Sequence, residues 1–382
     1  MPSSETTSSS ADASPSAEPL SSRSPQVGVG DLLEGLKPSF RFSEVSFDSY
    51  IPDPEHPSQA EAVEALSAFA ETVGAASGGG FFGKLFGGRS AARGSAKASS
   101  RTGSSTAGAA TRARRASGIY LDGGFGVGKT HLLASLYHAS QGQRAFGTFV
   151  EYTNLVGALS FRKAVEVLSD YSLVCIDEFE LDDPGDTVLM SRLMRELADA
   201  GVKLAATSNT LPGSLGDGRF AAVDFQREIQ VLADQFAVIR VDGEDYRHRG
   251  LPEAPAPLIT QELEPFAAEQ FPGRTVAVDD FDALTQHLST VHPSRYRQLV
   301  SDIDVLVLKD VSTIEAQSLA LRFVVLADRL YDQDIAIVAS GVPFDQLFTQ
   351  EMMAGGYMKK YYRTVSRLTA LARAGQMGEQ AL

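Results

Sequence analysis

From residue 118 to residue 242 the chain alternates between two kinds of hydrophobic patterning. Short strand-like runs recur at 118–122, 146–151, 172–177, 203–208 and 236–241. Between them lie longer stretches, 129–140, 154–169, 185–200 and 223–234, in which apolar residues return every three or four positions. Short apolar runs bounded by turns predict strands buried on both faces, and a period near 3.6 predicts helices with one packed face. Strand and helix in succession predict a parallel sheet with helices on both sides. A second α/β region is expected within 258–375. There 304–308 and 335–339 read as strands, and 314–331 has helical spacing with Leu319, Phe323, Leu326 and Leu330 on one face.

The flanks read differently. Residues 1–35, rich in Ser, Pro and Ala, are expected to be a disordered tail. Residues 36–74 carry Phe40, Phe42, Phe47 and Tyr50, then Pro52, Pro54 and Pro57, and are expected to pack on the core. Residues 75–117 are a Gly-, Ser-, Ala- and Arg-rich insertion whose composition suits a linker. The apolar island Phe81-Phe82-Gly83-Lys84-Leu85-Phe86 within it is either a sticky stretch of that linker or a docking motif for a membrane surface or a protein. The core then spans 118–249 and the C-terminal α/β region 250–382.

The strongest chemical signal lies between the first strand and the first helix. Gly123-Gly124-Phe125-Gly126-Val127-Gly128-Lys129-Thr130 satisfies every fixed position of G-x-x-x-x-G-K-[ST]. Its glycines let backbone N–H groups turn toward a phosphate chain, and the following helix start adds partial positive charge. Lys129 is expected to reach the β- and γ-phosphates and the Thr130 hydroxyl to ligate Mg2+. His131, next in sequence, is counted among the nucleotide-binding residues. A second run, Leu173-Val174-Cys175-Ile176-Asp177-Glu178, predicts a buried strand that delivers two carboxylates at its end. Asp177 is expected to hold the metal and Glu178 to polarise the attacking water. A third strand ends at Thr207-Ser208-Asn209, and Asn209 is expected to orient that water or sense the γ-phosphate. Gln59 and the nearby aromatics either contact an adenine edge or simply pack on the core. The fold expected is α/β, a P-loop NTPase core of the additional-strand type with a parallel sheet, followed by the C-terminal α/β region.

Composition narrows the setting. The only cysteine, Cys175, lies in the acidic strand, so neither an intrachain disulfide framework nor a Cys-based zinc site is expected. No apolar run approaches the ~20 residues that span a bilayer, and the N-terminus lacks the pattern of a secretory signal. A cytoplasmic setting is the expectation. The net charge is −14, yet 76–117 holds eight Lys or Arg and no acid, so the rest of the chain is more acidic than the total suggests. An acidic body disfavours a broad nucleic-acid footprint, while the basic stretch suits an anionic partner.

Taken together the motifs resemble the ZapE-type AAA+ ATPases, a bacterial cell-division family with mitochondrial relatives. The resemblance rests on Phe47-Asp48-Ser49-Tyr50 with Pro52 and Gln59, the phosphate loop with His131-Leu132-Leu133, Cys175-Ile176-Asp177-Glu178-Phe179 and Thr207-Ser208-Asn209. It continues through Asp245-Tyr246-Arg247 and Leu330-Tyr331-Asp332 to Arg363-Thr364-Val365-Ser366-Arg367-Leu368, and the last run and Leu330-Tyr331-Asp332 are much more specific than the phosphate loop and acidic strand. The resemblance implies ATP hydrolysis by a homo-oligomer whose active sites are completed by a neighbour. It implies protein clients, with the tubulin-like FtsZ at the division ring as the bacterial one. It also implies an arginine finger, for which Arg227 and Arg219 compete, and a second sensor, Arg363 or Arg367. The competing expectation is a replication initiator or helicase loader that binds single-stranded DNA, since Gly-Lys-Thr-His-Leu-Leu and Thr-Ser-Asn occur there too.

Overall fold

The computed structural model describes residues 16–26, 28–74, 105–124, 126–179, 184–209, 236–243 and 253–378. The chain divides into two compact units. One comprises Val29–Pro38 and Glu44–Tyr246; the other comprises Met1–Gly28, Ser39–Ser43 and Arg247–Leu382.

The first unit is built on five parallel strands: β1 (Gly118–Gly123), β2 (Arg144–Thr148), β3 (Leu173–Asp177), β4 (Lys203–Ser208) and β5 (Phe236–Val241). Their order is β2-β3-β4-β1-β5. The additional strand of the sequence reading is β4, which pairs with β1 on one side and β3 on the other. It thereby separates the strand leading into the phosphate loop from the strand that ends in the two acids. The helices are α1 (Val29–Glu34), α2 (Pro57–Ala70), α3 (Ser105–Arg115), α4 (Lys129–Ala139), α5 (Phe149–Leu159), α6 (Phe161–Leu168) and α7 (Pro184–Asp199). β1 and β3 are buried at every position, as continuous apolar runs require. Edge-to-face contacts among Tyr120, Phe179, Phe149 and Phe236 fill one side of the sheet.

Three expectations need correction here. The second strand ends at Thr148, not 151, and α5 begins at once. Thr148 caps α5: its hydroxyl accepts from the Glu151 N–H at 3.3 Å, and the Glu151 carboxylate accepts from the Thr148 N–H at 2.8 Å. That reciprocal box is a sequence-readable helix start, and here it overrides the apolar run. Second, the helix expected over 154–169 is two helices, broken at Ser160, whose φ is 72°. Third, the basic insertion does not extend unbroken to 117. Its last part is α3, which packs on α2, buries Ala113 and places Arg114 2.6 Å from Glu71. Segment 75–104, including 81–86, lies outside the described residues, as does the helix expected at 223–234.

The second unit is a smaller parallel sheet in the order β6-β7-β8, with β6 Val276–Asp280, β7 Val305–Val311 and β8 Ala336–Gly341. Its principal helices are α8 (Leu263–Gln270), α9 (Phe281–Thr290), α10 (Gln317–Asp332) and α11 (Met358–Met377). Phe323, Leu326 and Leu330 of α10 are buried as their spacing foretold. Part of the supposed disordered tail belongs to this unit. Ser16 bridges to Val276, Leu20 is fully buried, and the Leu20 and Ser21 N–H groups donate to the buried Asp279 carboxylate at 2.8 and 2.9 Å. Arg23 donates to the Leu299 and Ser301 carbonyls. One buried leucine and one carboxylate that accepts backbone donors order a stretch whose composition alone reads as disordered. In the first unit, α1 and Leu36 do the same for 29–36, with the Leu36 carbonyl accepting from Phe146 N–H at 2.9 Å.

Candidate active site

β1 runs into the phosphate loop at Gly123 and α4 leaves it at Lys129. Gly126 and Gly128 have φ of 78° and 83°, the left-handed conformation that glycine adopts without strain. At Gly123 the limit is space, because a Cβ would overlap the Val241 carbonyl of β5. Lys129 is 9% exposed, and its Nζ donates to the Gly123 carbonyl at 2.9 Å, the Gly124 carbonyl at 2.5 Å and Asn209 Oδ1 at 2.8 Å. The loop lysine and the residue after β4 therefore meet, two strand ends that the sequence could only place in the same neighbourhood. Phe125 lies outside the described residues.

The acids sit one strand further on. The Thr130 hydroxyl reaches both Asp177 carboxylate oxygens, at 3.0 and 3.3 Å. Asp177 also accepts from the Thr207 hydroxyl at 2.5 Å, and the same hydroxyl accepts from the Glu178 N–H at 2.9 Å. Thr207 thus fixes both acids at once, a role the sequence reading did not assign to it, although it stands in the quoted Thr-Ser-Asn run. Glu178 has φ 54°, which turns the chain sharply as it leaves β3. Burial pushes the Asp177 carboxyl up to about 6, and the neighbouring Glu178 carboxylate adds to the rise; hydrogen bonds from Thr207 and Thr130 and the charge of Lys129 oppose it.

This donor set fits Mg2+. The Thr130 hydroxyl and the Asp177 carboxylate are hard oxygen ligands on facing strand and helix ends, and the buried carboxylate lacks a full counter-charge. No cluster of three or more His, Cys, Asp or Glu side chains suited to a metal occurs among the described residues. A cation here would draw the rest of its shell from substrate oxygens and water, as Mg2+ does.

Other residues fall where the sequence did not anticipate. His131 turns its imidazole toward the segment before α2: Nε2 lies 2.9 Å from Ser49 Oγ and 3.2 Å from the Ser46 carbonyl, and Tyr50 meets the ring edge-on at 5.6 Å. Gln59 is 7% exposed, with Oε1 accepting from Asp53 N–H at 2.9 Å and Nε2 donating to the Asp242 carbonyl at 2.8 Å. Its amide thus ties the segment ahead of α2 to the end of β5. Arg363 and Arg367 belong to the second unit, one turn apart on α11. Arg363 donates to Asp328 of α10 at 3.1 Å, and Arg367 pairs with the same carboxylate. Arg219, Arg227 and 245–247 lie outside the described residues.

Comparison with known proteins covers both units. The chain matches the AFG1-like ATPase family over residues 35–379. It is 27% identical to the cell division protein ZapE of Escherichia coli K12 over 306 residues, which is 68% of this chain and 78% of that protein. It is 24% identical to lactation elevated protein 1 homolog B of Danio rerio over 294 residues, 62% of this chain and 58% of that protein. Among solved structures it aligns with the DnaC helicase loader at 13% identity, over 53% of this chain and 99% of the loader, with a TM-score of 0.32. That last likeness is too distant to bear on function. The family match runs through the phosphate loop, the acidic strand and the second unit alike, and the chain belongs to the AFG1-like ATPases, enzymes of the P-loop class that hydrolyse ATP.

Proposed function

We propose that this chain works as a homo-oligomeric AAA+ ATPase that uses ATP turnover to remodel a protein assembly of the bacterial division machinery, with an FtsZ polymer as client. The reading is supported by the joined site of Lys129, Thr130, Asp177 and Thr207 and by the relation to the E. coli cell division protein. It assigns the activity to the cytoplasm at the division site. No helix among the described residues is long and apolar enough to cross a membrane.

In this reading the loop N–H groups and Lys129 bind the β- and γ-phosphates, Nζ exchanging part of its bonding to the Gly123, Gly124 and Asn209 oxygens for phosphate oxygens. Thr130 and Asp177 would hold Mg2+, which when bound would offset charge on the phosphate oxygens. The Glu178 carboxylate takes a proton from water as the water oxygen bonds to the γ-phosphorus and the bond to the β–γ bridging oxygen breaks. Asn209, anchored on Lys129, orients that water beside the γ-phosphate. Arg227, presented by a neighbouring subunit, stabilises the charge that develops in transfer.

Lys129→Ala is expected to abolish nucleotide binding, and Glu178→Gln to bind ATP without turnover. Oligomeric function is tested by the ATPase rate against protein concentration for wild type, Arg227→Ala and a mixture of Arg227→Ala with Lys129→Ala. A specific rate that climbs with concentration and partial recovery in the mixture support shared sites. A rate independent of concentration and untouched by Arg227→Ala removes them. Stimulation of turnover by FtsZ polymers, absent with FtsZ monomers, tests the client.

A further inference from the structure

We infer that Tyr50 is a positioning residue for the phosphate loop, a latch that fixes the Val127–Gly128 peptide with its N–H facing the bound phosphates. The inference rests on reading 123–130 as the ATP phosphate site and adds to it a residue from a distant segment.

Three contacts carry it. The Tyr50 hydroxyl donates to the Val127 carbonyl at 2.8 Å. The Tyr50 ring lies flush against Gly128, so that a Cβ there would stand 2.5 Å from Cε2. The ring also meets His131, the third residue of α4, edge-on at 5.6 Å. Tyr50 itself is held by its own segment. Ser46 and Ser49 cap one another across the turn at 47–49, with Ser46 N–H donating to Ser49 Oγ at 2.9 Å, and Ser49 Oγ lies 2.9 Å from His131 Nε2. The phenol therefore approaches the loop from a braced turn.

The consequence follows from peptide geometry. A trans peptide points its C=O and N–H in opposite directions. Fixing the Val127 carbonyl on Tyr50 aims the Gly128 N–H away from Tyr50. Gly128, at φ 83°, is free to rotate in a way other residues are not, and a flip of the preceding peptide would put a carbonyl where the donor stood. A carbonyl turned toward a phosphate repels it, so the flipped loop binds polyphosphate poorly. The hydroxyl opposes that flip by tying down the carbonyl, and the ring opposes it by filling the space beside Gly128. Burial keeps the phenol protonated, pushed up to about 12, so it stays a donor across the working range.

Tyr50→Phe removes the hydroxyl and keeps the ring. The experiment measures steady-state ATPase kinetics and calorimetric binding of ATP, ADP and inorganic tripolyphosphate, each with Mg2+, on the full chain. The latch predicts that KM for ATP and Kd for all three rise together by about threefold to tenfold, the range of one net hydrogen bond. It predicts kcat within about twofold, because a loop N–H contacts phosphate in ground and transition state alike. Unchanged Kd values overturn the latch. A loss seen with ATP and ADP but not tripolyphosphate also overturns it, since Tyr50 would then act on the base. A fall in kcat as large as the fall in kcat/KM overturns it as well. Lys129→Ala run alongside keeps the two readings apart. If Lys129→Ala still binds tripolyphosphate, the phosphate-site reading fails; if it does not and Tyr50→Phe is silent, only the latch fails.

Discussion

Thr207→Val replaces a hydroxyl with a methyl in a buried strand and leaves the shape almost unchanged. Two contacts are lost. The donation to Asp177 at 2.5 Å goes to a charged acceptor, and such bonds contribute about 1.5–3 kcal/mol. The Glu178 N–H, held at 2.9 Å, loses its acceptor, and an orphaned amide costs about 1–3 kcal/mol when it stays dry. Glu178 is half-buried, so water recovers part of the second term, and valine suits a strand. A net loss of about 2–4 kcal/mol in stability follows. Catalysis should suffer through orientation. Glu178 leaves β3 at φ 54°, and its N–H bond to the Thr207 hydroxyl orients that residue, while the Phe179 N–H bond to the Thr207 carbonyl at 2.7 Å stays in the variant. Losing about 1.4–2.8 kcal/mol of transition-state positioning is a tenfold to hundredfold fall in kcat. KM for ATP should stay within about threefold, because Lys129 and the loop N–H groups are untouched. The assay is steady-state ATPase kinetics with thermal unfolding of the same samples, and Thr207→Ser as the variant that restores the hydroxyl. A folded Thr207→Val with wild-type kcat would refute the argument, as would a Thr207→Ser enzyme as impaired as the valine variant.

Two further expectations concern the second unit. Burial works to raise the Asp328 carboxyl, but Arg367, Arg363 and Arg329 outweigh it and hold the group below the ordinary carboxylate range. Its folded value is thus below its unfolded one, so its stabilisation is present above the usual carboxyl range and is lost as pH falls through the folded value. Wild type should lose stability on acidification below about pH 4, whereas Asp328→Asn should start about 3 kcal/mol lower and show a flatter acid limb in denaturant titrations. An unaltered acid limb in Asp328→Asn would refute the assignment. At Gly375, within α11, alanine ordinarily gains about 1 kcal/mol of helix propensity. Here a Cβ would overlap the Ile337 carbonyl of β8, so Gly375→Ala should instead lose about 1–3 kcal/mol in chemical denaturation. A stabilised variant would mean that helix and strand are not in that close contact.

What the sequence determined by itself is local. Strands in the middle of a parallel sheet are read as short apolar runs, so β1, β3 and β4 could be read within a residue or so of their ends, and so could β5, an edge strand that leaves Val238 and Arg240 exposed. The phosphate loop is a contiguous segment whose chemistry depends on its own backbone, and the two acids follow a strand that any α/β sheet would bury. The tertiary structure decided which distant groups meet. Strand order cannot be read from periodicity, and it is this order that sets β4 between β1 and β3 and so brings Asn209 to Lys129 and Thr207 to Asp177. Residues 16–26 read as disordered because composition counts apolar residues; one leucine in a prepared cavity and a buried Asp279 were enough to order them. Tyr50 read as an aromatic that packs on the core or meets an adenine edge, because nothing near it in sequence shows that its hydroxyl finds the Val127 carbonyl, 77 residues away. Arg363 and Arg367 share a helix face, as their spacing requires, but only packing set Asp328 opposite them. Periodicity records that a face is buried; what it is buried against depends on chain crossings that no local pattern encodes.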